Sequence, residues 1–320
     1  MKKISVIVLL MLSFISLHAL EVTTSILPQK YFIEKIAQDK VKVNVMVKKG
    51  FSPATYEPKT SQMKKLASST LYFSIGVPFE QVWLERFKSA NSSLVVIDTA
   101  KGIQKRTMPK HTHHEEDAHE EDAHEGHDHD EHAHEEEKEH HDQEHHEDEE
   151  EHHDAHEHGG LDPHVWLDPI LVKVQAKNIY KALVKYDAKN SAFYQKNYED
   201  FIQELDRLYS ELKNVLKPVE HKAFMVFHPS WGYFAQRFDL EQIAVEVEGK
   251  EPKPNQLVEL IEEAKEHEIK IVFVAPQFSQ KSAKVIAQNI KGNVVVIDPL
   301  NESWYTSMIE TAQAIVKSYQ

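Results

Sequence analysis

SAFYQKNYEDFIQELDRLYSELKNVL, residues 191–216, decides the architecture. Phe193, Tyr194, Tyr198, Phe201, Ile202, Leu205, Leu208, Tyr209, Leu212, Val215 and Leu216 recur at spacings of three and four. That period persists for about seven turns and predicts an amphipathic helix. At 1.5 Å per residue it is on the order of 40 Å long, enough to run along two lobes rather than cap one. Pro218 ends it, since proline lacks the N–H that would continue the ladder.

Strand and helix signals alternate on both sides of this stretch. Upstream, strands are predicted at 21–26, 41–47, 71–75 and 94–97, with helices at 29–38, 61–66 and 77–88. A helix at 169–186 precedes the long one. Downstream, strands at 222–227, 242–247, 270–274 and 294–297 alternate with helices at 228–238, 256–267, 279–290 and 303–318. The expected fold is α/β: two α/β lobes with mostly parallel sheets joined by one long rigid backbone helix. The expected boundaries are a signal peptide at 1–19, a first lobe at 20–189, the linking helix at 190–216 and a second lobe at 217–320.

The signal peptide is read from Lys2-Lys3, the apolar run Ile4 to Leu17 and the small residue Ala19. That run is short for a membrane span, so the mature chain is expected to be exported to the periplasm and not membrane-embedded. The chain has no cysteine, so it has neither disulfides nor a lipobox cysteine, and stability must come from core burial.

Residues 111–158 hold 17 of the 22 histidines and 23 acids against the single base Lys138. This tract carries −22 of a total of −15, so the rest of the chain is mildly basic at +7. Neither nucleic-acid nor membrane binding is indicated. The tract has almost no apolar residues with which to offset ordering entropy, so it is expected to be a disordered loop that binds metal loosely at many points.

Ligands in open α/β sheets sit beyond the carboxyl ends of the strands. His228 follows one predicted strand and Asp298 another. His164 lies between Asp162-Pro163 and Asp168-Pro169, on a loop whose shape two prolines restrict and whose Asp168 caps the next helix. Taken singly, His164 reads equally as a surface residue on a turn, His228 as a residue at a helix start and Asp298 as a cap. Taken together, two imidazoles and a carboxylate suit a borderline divalent ion, zinc first. His221 and His267 have no such context and read as surface residues.

These stretches resemble the metal-binding solute-binding proteins of ABC transporters, the ZnuA-type zinc group of the TroA-like family. The matching motifs are Gly50-Phe51-Ser52-Pro53 with Tyr56-Glu57-Pro58, Asp162 to Pro169, His228 with Gly232 to Ala235, Glu251 to Leu257, and Val296 to Leu300. The resemblance implies a monomer with a metal site in the interlobe cleft, ligated by His164, His228 and Asp298. It implies zinc over Mn2+, Cu2+ or Ni2+, delivery to an ABC-type membrane permease, and no enzymatic role. It also implies a histidine after Ser52-Pro53, where this chain has Ala54. Water, Glu57 or a histidine of the 111–158 loop is left to supply that donor. A metal buffer in which the loop is the main binding element is the alternative function. A zinc hydrolase is disfavoured, because no HExxH motif occurs and Glu57 is the one nearby acid.

Overall fold

Leu71 to Ser74 and Ala223 to Val226 are four-residue strands with every side chain buried, so both faces of their sheets must be covered. The computed structural model describes residues 19–108, 160–246 and 249–320. The expected signal peptide, apart from Ala19, and the 111–158 tract lie outside the described residues.

The first lobe contains β1 (Leu20–Thr24), α1 (Leu27–Ala37), β2 (Val41–Val45), α2 (Thr60–Ala67), β3 (Leu71–Ser74), α3 (Pro78–Ala90) and β4 (Val95–Asp98). Its sheet order is β2-β1-β3-β4, and every pair is parallel. Then come α4 (Pro169–Tyr186) and α5 (Ser191–Leu216). The second lobe contains β5 (Ala223–Val226), α6 (Gly232–Arg237), β6 (Glu241–Ala244), α7 (Pro254–Glu266), β7 (Ile271–Val274), α8 (Lys281–Asn289), β8 (Asn293–Val296) and α9 (Trp304–Lys317). Its order, β6-β5-β7-β8, repeats the first, again all parallel.

α5 buries Tyr194, Phe201, Leu205, Leu208, Leu212 and Leu216, the apolar stripe read from the sequence. It packs on α1 and α4 of the first lobe and on α9 of the second. Asn197 donates to Ile36 O (3.0 Å), and Glu204 holds Lys35 and Tyr31 of α1. One apolar core runs from Phe32 through Phe201 and Trp304 to Phe273, so both sheets lean on the same helix. The outer face of the second sheet has its own core under α7 and α8.

Several element bounds shift by a few residues, and two of the shifts have a visible cause. The helix expected from His228 begins at Gly232; Ser230 N instead bonds back to His228 O (2.7 Å) in a tight turn around Pro229. The strand expected to reach Val47 ends at Val45, although Met46 and Val47 still donate to Thr24 O and Ser25 O.

The lobes are also fastened directly. Trp166 Nε1 donates to Pro299 O (2.7 Å), and Trp304 Nε1 donates to Trp166 O (2.9 Å), all buried. Asp168 caps α4 through Ile170 N with one oxygen and grips Arg237 of α6 with the other (2.8 Å). Trp166→Phe leaves the Pro299 carbonyl buried without its donor. It should cost about 1–3 kcal/mol with an unchanged denaturant slope in urea unfolding; a loss under about 0.5 kcal/mol would mean the lobes do not rely on this bond.

Candidate metal centre

A cavity of about 550 Å³ opens where the carboxyl ends of β3, β5, β7 and β8 face the loop after β2. His164 and His228 line it together, with their ring centroids 5.3 Å apart. His164 comes from the Asp-Pro-His turn before α4; His228 comes from the turn after β5.

Each imidazole is held from behind by a carboxylate. His164 Nδ1 lies 2.7 Å from Asp162 Oδ1, which also accepts the His164 backbone N–H (2.9 Å). His228 Nδ1 lies 2.6 Å from Glu246 Oε1, and its ring stacks on Phe278. A neutral imidazole that donates Nδ1–H keeps its lone pair on Nε2, the nitrogen these contacts leave free in each ring. The Glu246 contact follows from parallel register: Val226 pairs with Ala244, so residues 228 and 246 leave the sheet side by side.

Asp162 is fully buried, with Arg106 Nε 3.7 Å from its second oxygen. Arg106 N donates to Tyr233 Oη (2.9 Å), whose O–H donates to Asp162 O (3.0 Å). Around this point Asp162 N bonds Arg106 O, Met108 N bonds Gly160 O, and Thr107 bridges Leu161. Met108 and Gly160 therefore lie beside each other at the cavity wall. Behind the lining residues Gly76 and Pro78, Glu80, buried on α3, accepts from Ile75 N and Gly76 N (3.0 and 2.8 Å) and from Ser25 Oγ; burial pushes its carboxyl up to about 7.

Asp298 stands just behind the lining. Its Oδ1 accepts from Gln277 Nε2 and Leu300 N (3.0 Å each), and Gln277, Pro299 and Leu300 line the cavity. Ala54 lines it too, whereas Glu57 is exposed and outside the lining. His221 is exposed, and neither it nor His267 lines the cavity. Among the described residues, no three His, Cys, Asp or Glu side chains stand close enough together to hold a metal ion. The structure brings together the two imidazoles and leaves Asp298 one side chain away. Sequence reading missed Asp162 and Glu246 as partners. Asp162 carried a usable signal, the Asx turn two residues before His164; Glu246 carried none without the sheet register.

Burial holds the His164 imidazole below its ordinary range, with the Asp162 hydrogen bond and charge opposing. Above pH about 6.5 the ring is neutral whether the chain is folded or not. As pH falls below that, the unfolded chain takes the proton first, so stability drops until the lowered folded-state value is passed. In an NMR titration of the imidazoles His164 should protonate below about pH 6.5, and Asp162→Asn should move it lower still by removing the supporting carboxylate. A rise in that variant would contradict the assigned partnership.

Two parallel α/β lobes on a shared helix, with a histidine-lined cavity between them, define a bilobal solute-binding protein. The chain belongs to the ZnuA family of zinc ABC-transporter solute-binding proteins, described as zinc-uptake complex component A, periplasmic, whose profile matches residues 22–318. It is 28% identical over 291 residues to the high-affinity zinc uptake system protein ZnuA of Bacillus subtilis (strain 168), covering 88% of this chain and 78% of that one. It is 36% identical over 145 residues to the protein of the same name from Brucella abortus (strain 2308), 44% of this chain and 43% of that one. A crystal structure of ZnuA superposes with a TM-score of 0.77 at 37% identity, covering 95% of this chain and all 100% of that one. A ZnuA deletion mutant with zinc bound gives 0.76 at 38%, covering 94% and 98%. Among the described residues no helix is long and apolar enough to cross a membrane.

Proposed function

We propose that this chain captures zinc in the periplasm, in the cavity between the lobes, and hands it to an ABC-type membrane permease. The mature monomer begins after residue 19, with lobes at 20–189 and 217–320 joined by 190–216. His164 and His228 bind the ion through Nε2, and Asp298 joins as a third donor by exchanging its Gln277 hydrogen bond for the metal. The observation that carries this reading is the pair of imidazoles 5.3 Å apart, each fixed by a carboxylate at Nδ1. Neutral nitrogen donors with one carboxylate suit zinc ahead of Mn2+, and tetrahedral preference ahead of Cu2+ or Ni2+. The chain is a receptor, not an enzyme: the ion is cargo.

Calorimetric zinc titration tests this on the mature protein, on a form lacking 111–158, and on His164→Ala. One tight site that survives the deletion and disappears in His164→Ala is expected. Tight binding confined to the full-length form would move the main site to the His-rich loop, making the chain a metal buffer and overturning the cavity assignment.

Glu246→Gln should keep the fold but lose the anion that orients His228. Zinc affinity should fall about 10–100-fold. Unchanged affinity would remove His228 from the donor set.

A further inference from the structure

We propose that the cavity takes zinc together with a small carboxylate chelator, an amino-acid-sized molecule whose donor atom fills the position where Ala54 stands. The inference rests on the reading of His164 and His228 as zinc donors and names what accompanies the ion.

Size is the first argument. A water molecule takes about 30 Å³ of liquid volume, and a zinc ion is no larger. The cavity is about 550 Å³, within the range of roughly 300–1,000 Å³ that holds small organic ligands. Coordination is the second. Two imidazoles, or two with Asp298, leave tetrahedral zinc short of a donor. Much of the lining around them is apolar, including Pro53, Ala54, Met108 and Phe278, and its uncharged polar side chains are hydroxyls and amides, poor zinc donors. An organic ligand gains from burying its carbon atoms against the apolar part of the lining.

Charge is the third. Among the described residues Lys105 is the lining's one Lys, Arg, Asp or Glu side chain. Its ammonium donates to Ile75 O (2.9 Å), which leaves two N–H donors for a carboxylate. The backbone makes room for it: a Cβ on Gly76 would come within 2.3 Å of Lys105 Nζ, and Gly76 has φ +87°. The positive φ is the condition that calls for glycine, since a lysine tip could move aside for a Cβ. Cation, dication site and apolar wall thus surround one space. A carboxylate chelator bridges them, one end on zinc, one on Lys105, its carbon body against Met108 and Phe278.

Equilibrium dialysis of the full-length mature protein tests this, with zinc and radiolabelled L-histidine in one arm and radiolabelled citrate in the other. One equivalent of chelator per chain should be retained in at least one arm, and only with zinc present. Retention should be lost in His164→Ala, fall about tenfold or more in Lys105→Gln, and be lost in Ala54→His, where an imidazole takes the position while zinc stays bound. Retention of neither chelator by a protein whose zinc binding depends on His164 overturns the chelate and leaves the receptor standing. Chelator retention that His164→Ala and Lys105→Gln do not change places it elsewhere on the chain and also overturns the proposal. Zinc binding that survives His164→Ala undiminished overturns the receptor reading itself.

Discussion

Two indole hydrogen bonds set the distance between the lobes. Trp166 reaches from the loop that carries His164 to Pro299 O, in the loop that carries Asp298, and Trp304 returns a bond to Trp166 O. All three residues are buried, so breaking either bond would strand a polar group away from water. The imidazoles come from opposite sides of this fastening, and a pair 5.3 Å apart needs its supports fixed to a fraction of that. α5 sets the coarse placement by packing on both lobes, and the indole bonds with the Asp168–Arg237 pair set the fine one. A clasp of this kind argues for a cavity prepared before the ligand arrives rather than one assembled around it.

Preparation has an electrostatic cost. Asp162 is fully buried and its second oxygen has no hydrogen-bond partner among the described residues. Arg106 approaches it at 3.7 Å, too far for a hydrogen bond but close enough to offset charge. The same Arg106 crowds the start of α6: a Cβ on Gly232 would come within 2.9 Å of the guanidinium carbon. Gly232, Arg106, Tyr233 and Asp162 therefore form one unit between the root of the 109–159 segment and His164.

Much of this was legible in the sequence, for reasons that differ by residue. The α5 stripe was, because a period repeated over 26 residues averages out local exceptions. So was the α4 cap at Asp168, since Asp-Pro is a local signal. The turn at His228 was not: Pro229 fits the first turn of a helix as readily as a tight turn, and the choice falls to Gln242, which accepts Trp231 N from the next strand (2.6 Å). Glu246 was illegible because its partner lies 18 positions away and meets it only through the β5–β6 register. Placement at strand ends and on the pinned loop, and then motif resemblance, supplied His164, His228 and Asp298 as a set, but geometry separates them: two line the cavity, and the third is engaged by Gln277 and Leu300.

Where the carboxylates stand bears on which ion fits. A hard cation is best served by oxygen donors in front of it. Here Asp162 and Glu246, both buried, stand behind the imidazoles and present nitrogen to the cavity. Behind the rings they fix the tautomer and raise donor basicity, which favours a borderline ion such as zinc. They also leave a charge to be balanced. Among the described residues Arg106 stands near one of them, Asp162, at 3.7 Å. A dication at the Nε2 side would face both anions through the polarisable rings and draw them into its own charge balance. In the proposed receptor a dication there would offset the cost of burying the two carboxylates, so the groups that orient the rings would also favour binding.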